Sequence, residues 1–157
     1  MAQPGRIESI NVSQGGVPKR PVAQAQVSST GLAGDRQNNL EYHGGPDRAV
    51  CLWSLDVIHT LQQEGHSIAP GSAGENLTLS GLDWATLIPG TQLELGPALR
   101  VEITDYAAPC RQNMHWFADR RFSRISQKHY PGSSRLYGRV LAAGTIQVGD
   151  RAAVVEG

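Results

Sequence analysis

The sequence predicts a mostly β protein, a small barrel carrying a few short helices, on three observations. Glycine occurs 18 times and proline nine times in 157 residues, and closely spaced turn signals imply many short strands. Several segments alternate apolar and polar residues with the period of a half-buried strand. Only one stretch has a clear helical repeat, and the Pro-Gly and Gly-Asp corners between strands suit a barrel that bends sharply at its rim.

Residues 6–12 turn Ile7, Ile10 and Val12 toward a core, and Gly15-Gly16-Val17-Pro18 ends that strand. Residues 21–27 alternate small apolar with polar side chains, and the glycine-punctuated turn of residues 31–37 follows. A second loop of that kind, His43-Gly44-Gly45-Pro46-Asp47-Arg48, leads into an apolar run at residues 49–53 that reads as a buried strand. Ser54 is placed to cap a helix over residues 55–64, in which Leu55, Ile58 and Leu61 share a face and Gly65 stops the run. A third glycine-rich loop, residues 70–76, runs into Leu77-Thr78-Leu79. Residues 87–104 read as a hairpin with Leu93, Leu95, Val101 and Ile103 inward, and residues 144–155 repeat the pattern of strand, Gly-Asp turn and strand. Between Cys110 and Tyr130, Met114-His115-Trp116-Phe117 with Arg120, Arg121 and Arg124 suggests a short basic helix.

Length and charge bound the function. The chain fits one domain, 1–157, long enough to bury a core without staples. Lys plus Arg and Asp plus Glu both number 14, so no bulk charge draws a nucleic acid or an acidic membrane, and any anion site is local. The first residues lack an apolar signal region, and no stretch approaches the roughly 18 apolar residues of a spanning helix. The expectation is a cytoplasmic protein with neither a nucleic-acid nor a membrane partner. The two cysteines do not read as a disulfide framework, and no Cys-x-x-Cys occurs to build a zinc site.

Those cysteines differ in setting. Cys51 lies inside Ala49-Val50-Cys51-Leu52-Trp53 and reads as a small core hydrophobe. Cys110 follows the end of a strand, with Pro109 before it and Arg111 after it. Only a thiolate is a good nucleophile or metal ligand, and an adjacent guanidinium favours that anion. Three loops share glycines with polar residues: Gly34-Asp35-Arg36, His43-Gly44-Gly45-Pro46-Asp47 and Gly74-Glu75-Asn76. Strand-end loops of a barrel gather at a rim, so Arg36, His43 and Asn76 are expected to converge with Cys110 on one pocket. Arg36, Arg111, Arg135 and Arg139 are candidate forks for phosphate or carboxylate. Glu75 either orients Asn76, transfers protons or is merely exposed. His43 is open between an anion contact and solvent.

Gly34-Asp35-Arg36, His43-Gly44-Gly45-Pro46-Asp47-Arg48-Ala49-Val50, Gly74-Glu75-Asn76-Leu77, Pro109-Cys110 and Val148-Gly149-Asp150 occur in the order and approximate spacing of the MOSC domain. The chain resembles that family from about Arg6 to Val155. MOSC is the C-terminal domain of molybdenum-cofactor sulfurases and also occurs alone in bacteria. The resemblance implies a distorted β-barrel in which Cys110 matches the family's cysteine, a proposed persulfide carrier or, in amidoxime-reducing relatives, a molybdenum ligand. These 157 residues are expected to contain neither the pyridoxal-phosphate cysteine-desulfurase domain nor the extra N-terminal β domain of larger members. Lys19 and Lys128 are the only lysines, and neither sits where a pyridoxal Schiff base is suggested. Three functions follow as expectations. The first is a sulfur carrier or sulfurtransferase on Cys110, loaded by a donor such as a separate cysteine desulfurase and discharged to a cofactor or small acceptor. The others are a molybdenum-cofactor-binding oxidoreductase with Cys110 on the metal and arginines on the pterin phosphate, and a non-enzymatic cofactor carrier. In each, Arg36, His43, Glu75, Asn76, Arg111 and Arg135 are the candidate residues around the cofactor or sulfur species.

Overall fold

The computed structural model describes residues 4–36 and 45–156. The strands are β1 (Gly5–Val12), β2 (Arg20–Val22), β3 (Gln24–Ser28), β4 (Gly31–Leu32), β5 (Val50–Ser54), β6 (Leu77–Ser80), β7 (Gln92–Leu95), β8 (Leu99–Tyr106), β9 (Leu136–Ala142), β10 (Gly144–Gln147) and β11 (Arg151–Val154). One α-helix, α1 (Leu55–Gln63), follows β5 directly. Short 3₁₀ helices occupy Pro46–Arg48, Trp84–Thr86, Arg111–Trp116 and Phe122–Ile125.

Neighbouring strands run in the order β11-β7-β8-β9-β5-β6-β1, and the pairing of Gly5 with Ala152 joins β1 to β11 and closes a seven-stranded barrel. Closure removes the free edges that an open sheet would expose. The strand β2 extends the wall beside the end of β1, with Ile10 opposite Val22. All barrel pairings are antiparallel except β5 with β6, where α1 makes the crossover that a parallel pair requires. The helix begins where the sequence places it, with Ser54 Oγ accepting the Val57 amide at 3.1 Å. Its Ile58 and Leu61 are fully buried.

In β1, Ile7 and Ile10 are both buried although three positions apart, which a regular strand does not allow. A bulge between Ile7 and Ser9 resets the alternation. The hairpin of β7 and β8 has Leu93 opposite Val101 and Leu95 opposite Leu99, as the alternation predicts.

Two expectations differ in detail. The strands around Gly149-Asp150 do not pair with each other: β10 joins a separate three-stranded sheet, β10-β3-β4, while β11 completes the barrel. The turn between them is fastened to β1 instead, through Gly149 N to Ile7 O and Ile7 N to Asp150 O, both at 2.8 Å. The expected basic helix after Cys110 is two 3₁₀ turns, separated at Arg120, whose φ of 62° leaves the helical region.

The small sheet contributes Ala25, Val27, Leu32 and Ile146 to the same core as the barrel. At the centre of the wall, Gly138 sits where an added Cβ would collide with the stiff side chains of Val101 and Val50. Gly138→Ala is therefore expected to destabilise the fold by about 1–3 kcal/mol through overpacking, read as a lower midpoint in urea with an unchanged slope.

Candidate functional site

The register aligns five strands in one row across the wall. Tyr106 at the end of β8 lies opposite Leu136 at the start of β9, and Leu136 lies opposite Leu52 of β5. Leu52 lies opposite Leu77 at the start of β6, and Leu77 opposite Ile10 near the end of β1. The chain after β8 and before β9, which carries Cys110 and Arg135, leaves this row on one side, and the chain before β6 and after β1, which carries Asn76 and leads to Asp35, leaves it on the other.

Asn76 is fully buried and joins three of these elements. Its backbone amide donates to Cys51 O at 2.8 Å, and its Oδ1 accepts the Cys51 amide at 3.0 Å. Its carbonyl accepts the Asn11 amide at 2.7 Å, and Nδ2 donates to Asn11 O at 3.3 Å and to Asp35 Oδ2 at 3.0 Å. The Asp35 carboxylate also accepts Lys19 Nζ at 2.6 and 2.8 Å and the Ser13 amide at 2.9 Å. Lys19 and Asp35 thus form an ion pair with both side chains 6% exposed. Such a pair holds only because hydrogen bonds replace the lost hydration.

Glu75 is fully buried, not exposed as an isolated Glu after Gly would be. Its Oε2 accepts the Gly71 amide at 3.0 Å and Thr78 Oγ1 at 2.8 Å, while Oε1 has no partner among the described residues. Burial raises its pKa to about 7, against the opposing pull of those hydrogen bonds and of Arg135.

Arg135 is buried beside it. One terminal nitrogen donates to Ala73 O and the other to Ala108 O, each at 2.8 Å. Asn113 Nδ2 donates to the same Ala73 carbonyl at 3.2 Å, and the Asn113 amide donates to Cys110 O at 2.9 Å. The loop preceding Glu75 and the loop holding Cys110 are therefore sewn together. Cys110 begins the 3₁₀ turn and is partly exposed, with no hydrogen bond from its side chain capping that turn. Cys51 is buried, and loss of hydration pushes its thiol up to about 11 although the Arg135 charge pulls the other way. Tyr137, packed on Cys51 and Ala107, has its hydroxyl raised chiefly by burial, then by Cys51 and, more weakly, Cys110.

Of the residues singled out by sequence, Asn76, Glu75 and Arg135 lie in this connected network. Arg36 is exposed on the same Asp35 turn, its amide held by Ser13 O at 2.7 Å. Arg111 is exposed next to Cys110. Arg139 points elsewhere, paired with Asp47 at 2.9 Å and Glu102 at 2.7 Å. His43 lies outside the described residues. Sequence reading missed Lys19 and Asn113. Lys19 carries no local signal, its partner being 16 positions away, whereas Asn113 had one, the three-residue spacing from Cys110 that closes a turn.

A carboxyl raised in the native state binds a proton there that the unfolded chain has already released, so stability is greatest below the unfolded value near 4.5 and is lost as pH rises through about 7. Glu75→Gln is expected to remove that loss, on the order of 3 kcal/mol. Denaturant titrations at acidic and alkaline pH check it: the variant gains on wild type only at the alkaline end.

A family model described as the MOSC domain matches residues 39–153, which include the Gly74-Glu75-Asn76 and Cys110 loops. YflK of Bacillus subtilis is 29% identical over 137 residues, 85% of this chain and 60% of that protein. YiiM of Escherichia coli is 32% identical over 98 residues, 59% of this chain and 43% of that protein. The chain thus spans less than two thirds of the length of either relative. Among solved structures, YiiM from Geobacillus stearothermophilus has a TM-score of 0.70 at 26% identity, over 98% of this chain and 76% of that one. The YUAD protein from Bacillus subtilis shares the fold with a TM-score of 0.76 at 15% identity, over 97% and 96% of the two chains. A closed barrel matched by these neighbours, and a family model covering both loops of the site, lead to one conclusion: this chain belongs to the MOSC domain family.

Proposed function

We propose that the protein is a sulfur carrier in which Cys110 holds a sulfane sulfur as a persulfide. The observation that carries this reading is the contrast between the two thiols: Cys110 is partly exposed beyond the end of β8, while Cys51 is buried and held in its neutral form. The Cys110 thiolate attacks the outer sulfur of a donor persulfide, such as one on a separate cysteine desulfurase. The donor's S–S bond breaks as the Cys110 S–S bond forms, and the donor leaves as a thiolate. Oxidation levels are exchanged between the two sulfurs, so no further oxidant enters. An acceptor nucleophile takes the outer sulfur by the reverse step.

The family is associated with molybdenum-cofactor sulfurase, and the site's residues fit part of such a cofactor. Cys110 offers a soft thiolate for the metal, and the exposed Arg36 and Arg111 offer cations for a pterin phosphate. Arg135 is buried, with its terminal nitrogens on the Ala73 and Ala108 carbonyls, and would support the Cys110 loop from behind. When bound, the cofactor would supply oxygen- or sulfur-transfer chemistry at its metal. Within this chain, Cys110 would bind and orient it.

Brief treatment with a dilute alkylating reagent is expected to modify Cys110 well before Cys51, because reactivity follows thiolate fraction and access. Peptide mapping reads the order, and preferential labelling of Cys51 overturns the assignment. Incubation with a persulfide donor is expected to add about 32 Da to the Cys110 peptide. Cys110→Ser should abolish that addition while changing stability by well under about 1 kcal/mol; Cys51→Ser should keep it and cost about 1–3 kcal/mol. A mass spectrum taken without reductant and melts of both variants decide the matter. Copurifying molybdenum that is lost in Cys110→Ser, with no added sulfur in the wild type, would favour the cofactor-binding reading instead.

A further inference from the structure

We propose that Arg135 and Asn113 are positioning residues that lock the Cys110 loop onto one shared acceptor, the Ala73 carbonyl, and so set how far the thiol opens to a reaction partner. The inference rests on the reading of Cys110 as the reactive thiol. Both side chains are buried, at 3% and 0% exposure, and each spans the two loops. Arg135 bridges Ala73 O to Ala108 O, two residues before the thiol. Asn113 bridges Ala73 O to Cys110 O, through its side-chain amide on one side and its backbone N–H on the other. Cys110 is thus held from both flanks.

Neither side chain is what mere filling of the space would select. Arg135 Nε and Asn113 Oδ1 are buried with no partner among the described residues, an arrangement that costs stability where an apolar side chain would not. Buried polar groups left half-satisfied are expected where geometry at a site matters more than stability. Arg135 is further anchored by its backbone: its carbonyl accepts the Ala107 amide at 2.9 Å. The adjacent Ser133 and Ser134 carbonyls accept the indole N–H groups of Trp53 and Trp84 at 3.0 and 2.7 Å. The clamp is therefore fixed to the barrel core and the loop is fixed to the clamp.

The test compares Asn113→Ala and Arg135→Gln with the wild type, well below each melting temperature. Two rates are measured: hydrogen exchange of the backbone amide at position 113, relative to its intrinsic rate, and iodoacetamide modification of Cys110. Loss of one tie should raise both by roughly fivefold or more, the effect of one net hydrogen bond on local opening. Ile146→Ala serves as a control that destabilises the fold without touching the loop, since Ile146 packs near Gly96 at the opposite rim; it should leave both rates within about twofold. Rates in Asn113→Ala within that same range, or an equal rise in Ile146→Ala, overturn the proposal. Should Arg135→Gln fail to fold, Asn113→Ala against the control decides alone. A wild-type protein that is alkylated at Cys110 but never gains about 32 Da ends the sulfur-carrier reading while this comparison still decides the clamp.

Discussion

The site is organised by a single buried amide. Asn76 stands where the parallel pairing of β5 with β6 meets the antiparallel pairing of β6 with β1, and its side chain closes hydrogen bonds to both neighbours at that junction. A buried backbone N–H or carbonyl left open there would cost about as much as a lost hydrogen bond, and Asn carries both a donor and an acceptor to prevent it. The remaining donor hydrogen reaches Asp35, which in turn needs Lys19 and the Ser13 amide to survive burial. Three loops distant in sequence are thereby fixed relative to each other before any ligand is considered.

The two cysteines show how far environment separates identical chemistry. Cys51 has the Arg135 charge acting on it, which favours the thiolate, yet desolvation is the larger effect and keeps the thiol neutral. Cys110 lies past the end of β8, where the chain leaves the wall, and the residue is partly exposed. Access rather than proximity to positive charge separates them.

Arg135 follows a different logic from the surface arginines. A guanidinium with two terminal nitrogens on two carbonyls acts as a structural fork, and its charge also opposes the rise of the Glu75 carboxyl and the Cys51 thiol. Glu75 meanwhile sits at a raised value because its two hydrogen bonds do not offset complete burial. The floor of the site combines one fixed charge with one that changes near neutral pH.

Much of this was legible in the chain alone. Local rules place Ser54 as the cap of α1, the β7–β8 hairpin, the strand that buries Cys51, and Cys110 beyond a strand end, because alternation, capping and turn chemistry act over a few residues. The family motifs marked both loops of the site. Tertiary structure alone decided the rest. The Gly149-Asp150 turn looks like a hairpin by its residues, yet β10 and β11 part company, β10 pairing with β3 in the separate small sheet and β11 with β7 and β1 in the barrel wall. Glu75 looked exposed, and Arg135 looked like a free fork. The Arg135 fork depends on Ala73 and Ala108 arriving from segments 62 and 27 positions away, whereas Glu75, bonded locally to Gly71 and Thr78, is buried by the way its loop folds against the rest of the chain. Burial and hydrogen-bond partnership are properties of segments brought together across the fold, and no local periodicity encodes them.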